Sequence, residues 1–173
     1  MSEQLADPRV RRGRIIFDTF RSVRDPRLAA WLMFRSQLLP DDTLAPRVSP
    51  TSTSPVGVFG VWRLLATNNR ELARCASVFA SPEVAVETAL AEQSRASELH
   101  ASPVRGPAAT KHAWVLRRDG QPVATAARWY ESSGEAAAAG RAAVVVLSSA
   151  EVVRGVSIGT ESGRRSRISV PSA

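Results

Sequence analysis

Residues 60–81, GVWRLLATNNRELARCASVFAS, and residues 112–132, HAWVLRRDGQPVATAARWYES, carry one pattern twice. Setting Trp62 over Trp114 brings Leu64 onto Leu116. Each segment then reaches a turn, TNNRE in the first and RDGQP in the second. One additional residue in the first turn brings Leu72 and Ala73 onto Val123 and Ala124. From there Phe79 falls on Tyr130, Ser81 on Ser132 and Ala85 on Ala136. A unit this short cannot bury its own apolar face, so the two copies are expected to share a core.

The pattern within each copy reads strand, tight turn, strand, helix. Trp62, Leu64 and Ala66 alternate with Arg63, and Trp114 and Leu116 alternate with Val115 and Arg117, as a pleated strand requires. Beyond the turn, Ala73, Cys75 and Phe79 share a face, as do Ala124, Ala126 and Tyr130. Asn-Asn and Asp-Gly both tolerate the positive φ of a tight hairpin. Ser81-Pro82 supplies an N-cap and a proline at the first helical position. Glu83 follows in the first turn, where the helix dipole favours an anion. In the second copy Ser132 or Ser133 can cap, with Glu135 nearby. The helices, PEVAVETALAEQSRA and GEAAAAGRAAVVVL, present small faces suited to close packing on a sheet.

This pattern resembles the YegP-like family, small bacterial domains of unknown function often found as tandem pairs. The residues that carry the resemblance are Trp62, Leu64, Leu72, Ala73, Phe79, Ser81 and Ala85, then Trp114, Leu116, Asp119-Gly120, Val123, Ala124, Tyr130, Ser132 and Ala136. It covers residues 56–150. It implies antiparallel strands followed by a helix and a further strand, with two repeats joined in one sheet. The family has no established catalytic site, so the resemblance implies no site residue and no cofactor.

Outside the copies, the first forty residues show helical spacing. Asp7-Pro8 and Asp25-Pro26 each combine a capping residue with a proline at the first turn. Ile16, Phe20 and Val23 recur at helical intervals, as do Leu28, Trp31, Leu32 and Leu39, and Pro40 ends the run. The expectation is an N-terminal helical hairpin over residues 1–40. A proline-rich linker follows over 41–57, then repeat 1 over 58–99, a second linker over 100–111, repeat 2 over 112–150, and a mostly disordered tail over 151–173. The expected fold class is α+β: two tandem ββα(β) repeats forming one antiparallel sheet with helices on one face, preceded by the hairpin.

Composition bounds the function. The 173 residues are 44% hydrophobic, enough for a modest core built largely of alanine. One cysteine, Cys75, excludes an intramolecular disulfide and points to a reducing, cytoplasmic compartment. No signal peptide is expected, and no run approaches the roughly 20 apolar residues of a spanning helix. His100 and His112 lack ligand partners at metal spacing, and Cys75 falls on the buried strand face, so no metal, cofactor or catalytic constellation is expected. The chain is read as not an enzyme.

The net charge of +7 rests almost wholly on arginine, with Lys111 the single lysine. Arginine suits phosphate, but a genome that favours arginine codons gives the same composition, and the charge is spread along the chain. The leading reading is a non-catalytic binding or scaffold module with a protein partner or a second copy of itself. Its candidate interaction surface is Trp129, Arg128, Arg117, Arg118, Trp31 and Phe34. Trp129 is read as the outward ring of the Trp129-Tyr130 pair, unless the N-terminal segment covers it. The alternative is nucleic-acid binding, with Arg11, Arg12, Arg14, Arg164, Arg165 and Arg167 as candidate phosphate contacts.

Overall fold

The computed structural model describes residues 12–22, 24–40, 59–159 and 165–169, with side chains described as far as Gly155. Its first element corrects the expected helical hairpin. Arg14–Phe20 is a strand, β1, and only Pro26–Leu38 is a helix, α1. In β1 the period-two set Ile15, Phe17 and Thr19 is buried, while Arg14, Ile16 and Asp18 are half-buried. β-Branched Ile15, Ile16 and Thr19 suit that pleat better than a helix. Gly13 fixes the start of the strand. A Cβ there would lie 2.3 Å from Val146 Cγ1, so only glycine fits the approach.

The chain continues through β2 (Phe59–Leu65), β3 (Glu71–Cys75), α2 (Pro82–Ser94), a 3-10 turn at Ala96–Glu98 and β4 (His100–Arg105). It then runs through β5 (His112–Arg118), β6 (Gln121–Ala126), α3 (Ser133–Ser149), β7 (Glu151–Gly159) and β8 (Arg165–Ser169). The order strand, strand, helix, strand therefore occurs twice, as β2-β3-α2-β4 and β5-β6-α3-β7. Residues 100–105, expected as linker, form β4 paired along its length with β5. The expected tail holds β7 and β8. The expected linker 41–57 lies outside the described residues.

The strands form one sheet in the order β4-β5-β6-β3-β2-β1-β7-β8. It is mixed rather than antiparallel, because β1 and β7 run parallel. β3 pairs with β6 through Ala73↔Ala126 and Cys75↔Ala124, which joins the two halves at the centre of the sheet. The turns take the expected backbone: Asn69 has φ 66°, Asp119 φ 51° and Gly120 φ 77°. The caps form as well. Ser81 accepts from the Val84 N–H at 3.2 Å and Ser132 from the Glu135 N–H at 3.1 Å.

The helices lie on both faces, not one. α2 and α3 cover the face that carries Ile15, Phe17, Trp62, Leu64, Trp114 and Leu116, all essentially inaccessible to solvent. The alanine of these helices makes room for the tryptophans. At Gly140 a Cβ would sit 3.1 Å from Trp114 Cγ and 2.8 Å from Ala101 Cβ. α1 lies on the opposite face. It buries Leu28, Trp31, Arg35 and Leu38, and Arg35 Nε donates to the Ala76 carbonyl.

Candidate binding cleft

Alternation sends Asp18 of β1, Arg63 of β2 and Arg74 of β3 to the face that α1 partly covers. The register sets Arg63 directly across from Arg74. A bulge between Leu64 and Leu65 then pairs Leu65 with Glu71, and so turns Glu71 toward the same two arginines.

Like charges directly opposite on neighbouring strands are destabilising. Two carboxylates compensate here. Asp18 accepts from Arg63 Nε at 2.5 Å. Glu71 accepts from Arg74 Nε at 2.7 Å and lies 3.6 Å from Arg63 Nη1, so it bridges both guanidiniums. The four side chains keep only about a fifth of their surface exposed, with values from 17% to 24%. Ion pairs at that depth are screened less than surface pairs. Arg74 also lies over the Trp31 ring at 5.1 Å and the Phe34 ring at 5.5 Å, two cation–π contacts that hold α1 against the sheet.

The N-terminal turn of α1 forms the second wall. Asp25 caps the helix, accepting from the Arg27 N–H at 2.9 Å and from Arg27 Nη2 at 3.0 Å. The hydrogen bond from the Arg27 side chain holds the Asp25 carboxyl below the usual carboxylate range, and the same bond raises the Arg27 guanidinium. Arg27 in turn lies over Phe20 at 5.2 Å. Between these walls opens a cleft of about 310 Å3, lined by Asp18, Phe20, Arg63, Glu71 and Arg74 of the sheet and Arg27, Ala30 and Trp31 of α1. That is the small end of ligand pockets, roughly 300–1,000 Å3, with room for a small molecule or one side chain.

Only the first half is built this way. The positions equivalent to Arg63 and Arg74 are Val115 and Thr125, an uncharged cross-strand pair. The sequence pattern carries no signature of the cleft. Alternation sets Arg63 on the face opposite Trp62 and Leu64, but its pairing with Arg74 depends on register, and the position of Glu71 depends on the bulge.

The residues expected to form an interaction surface are divided. Trp31 is 7% exposed. Phe34 meets Trp129 edge-on, ring centroids 5.5 Å apart, so α1 partly covers the tryptophan expected to face outward and leaves it half-buried. Arg128 is exposed and lies over Tyr130 at 4.6 Å. Arg117 Nη1 donates to the Gly120 carbonyl at 3.0 Å, which tethers it to its own turn. Arg118 is paired with Glu92.

The candidate phosphate contacts are also dispersed. Arg11 and Arg164 lie outside the described residues. Arg12 is exposed, and Arg14 Nη2 donates to Asn69 Oδ1. Arg165 and Arg167 lie on β8. Arg14 pairs with Glu151, whereas Arg165 pairs with Gly159 beside the Ile158↔Thr19 pair, so the register sets them at opposite ends of β1.

Cys75 is buried between the Trp62 N–H, 3.3 Å away, and the Ser77 carbonyl, 3.0 Å away. Burial pushes its thiol up to about 12. His100 is exposed and His112 half-buried on β4 and β5. Among the described residues no three His, Cys, Asp or Glu side chains are grouped to hold a metal, and no helix is long and apolar enough to cross a membrane.

Fold and cleft together define an α+β protein with one mixed sheet, helices on both faces and a charged cleft confined to one half. No protein-family model matches the chain, and no curated protein matches it. Its structure is similar to the solution NMR structure of YegP from E. coli, a protein of unknown function. The identity is 10% and the TM-score 0.42, over 64% of this chain and 90% of that one.

Proposed function

We propose that the chain is a non-catalytic binding module and that the cleft over Arg63 and Arg74 is its site. One observation carries the reading. Two arginines sit directly opposite each other on neighbouring strands, at positions where the other half of the sheet has Val115 and Thr125. An uncharged pair satisfies the same backbone, so the charged pair adds a repulsion that Glu71 and Asp18 must offset. Natural proteins break one or two such local rules at functional sites and compensate for them elsewhere.

The two halves share element order and serine caps, which supports reading them as an internal duplication. The cleft is then a specialisation of the first copy. The same reading allows a partner protein, or a second copy of the chain, to insert one side chain into the cleft.

The test is an NMR fragment screen against the full chain. Shift perturbations from several hits should converge on Arg27, Ala30, Trp31, Arg63 and Arg74. Hits scattered over both faces, or none at all, would remove this cleft as the site.

A further inference from the structure

We infer that the ligand group of this cleft is a carboxylate, and that Glu71 occupies its place in the unliganded chain. The inference rests on the binding-module reading above. Glu71 reaches Arg74 with one oxygen, at 2.7 Å from Nε, and its other oxygen lies 3.4 Å from Arg74 Nη2 and 3.6 Å from Arg63 Nη1. This is a forked carboxylate–guanidinium contact in which one acid serves two bases. Each guanidinium has five N–H donors in a fixed plane. Among the described residues, neither Arg63 Nη2 nor Arg74 Nη1 is matched to a protein acceptor. A carboxylate that displaces Glu71 therefore finds donors beyond those Glu71 uses.

Charge decides between oxyanions. The lining holds three cations, Arg27, Arg63 and Arg74, and two anions, Asp18 and Glu71, a surplus of one. Asp25 already pairs with Arg27, so the set is neutral with Glu71 in place and carries a surplus of one positive charge once Glu71 swings out. A carboxylate matches that surplus, whereas a phosphate dianion exceeds it. The cleft volume of about 310 Å3 admits a short acid or one acidic side chain.

The carboxylate could come from a free small acid or from an acidic peptide. Both are titrated into the full chain at pH 7, as glutarate and as an N-acetylated tetraglutamate, with inorganic phosphate alongside. The readout is the side-chain Nε–H resonances of Arg63 and Arg74. Saturable shifts of both are expected, with phosphate weaker than either acid. Saturation by glutarate identifies a small acid, and saturation by the peptide alone identifies an acidic peptide. Glu71→Gln removes the internal competitor and should tighten binding at least tenfold, while Arg63→Gln should weaken it by a similar factor. Phosphate binding more tightly than the acids overturns the inference, as does a Glu71→Gln variant that folds but binds no better. If Glu71→Gln does not fold, the wild-type titration and Arg63→Gln decide alone, and unmoved Arg63 and Arg74 resonances overturn it. Fragments that bind the cleft while carboxylates do not would end this inference and leave the binding-module reading standing.

Discussion

Arg118 of β5 donates through both terminal nitrogens to the carboxylate of Glu92 on α2, the Nη2 bond to Oε1 measuring 2.9 Å. The pair ties the helix of the first half to the first strand of the second. Its side chains are only 17% and 10% exposed. The hydrogen bond to Glu92 raises the Arg118 guanidinium above its ordinary value. Together with the β3–β6 ladder, this contact joins the two halves.

Replacing Glu92 with alanine should leave Arg118 partly buried without its anion. The expected loss is about 2 kcal/mol, in the range for a hydrogen bond to a charged group. A double-mutant cycle with Arg118→Ala, followed by urea unfolding, should give a coupling above about 1 kcal/mol. A coupling near zero would mean that the pair behaves as an ordinary surface contact.

The first half expressed alone, residues 59–105, should be unfolded by far-UV circular dichroism. Its β3 loses β6 and its β4 loses β5, so both face water without pairing. A cooperative melt of this fragment would contradict the shared sheet.

Removing residues 1–50 should abolish the native fold rather than trim it. β1 stands between β2 and β7, and its departure leaves two interior strand edges unpaired. Leu28 and Trp31 leave the core with α1. A truncated chain that retains a sharp, wild-type-like thermal transition would refute this.

Gly140→Leu should destabilise by about 1–3 kcal/mol, as overpacking of a filled core does. The new side chain has no space between Trp114 and Ala101. Near-UV circular dichroism should change with it, because the Trp114 ring must move. An unchanged melting temperature would show that α3 can shift away from the sheet at little cost.

Cys75 should resist a thiol reagent in the folded chain at pH 8 and react fully in denaturant. Its thiol is raised from 9.0 to about 12, mainly by burial, so the native chain holds the proton more tightly than the unfolded one. The stabilising contribution is therefore complete below about pH 9 and is lost as pH rises toward 12. Rapid labelling of native protein would place the thiol at the surface.

The sequence by itself determined what is local. Asn69 and Asp119-Gly120 set their turns because few residue types accept positive φ. Asp25, Ser81 and Ser132 set helix starts because a short side chain reaches the backbone N–H groups just ahead. The alternation around Trp62 and Trp114 set the buried face of β2 and β5, because successive strand residues point opposite ways. Tertiary structure decided everything that depends on a distant partner. Residues 14–20 satisfy a helical and an extended period at once, and only pairing with β2 and β7 selects the strand. β4 and β7 carry weak local patterns and gain their hydrogen bonds from β5 and β1, the second of these across most of the chain. The face taken by α1 follows from Trp31 and Phe34 meeting Arg74 and Trp129. The candidate cleft belongs to this second group. Neither Arg63 opposite Arg74 nor Glu71 between them has a signature in sequence, because register and a single bulge, not residue type, bring those charges together.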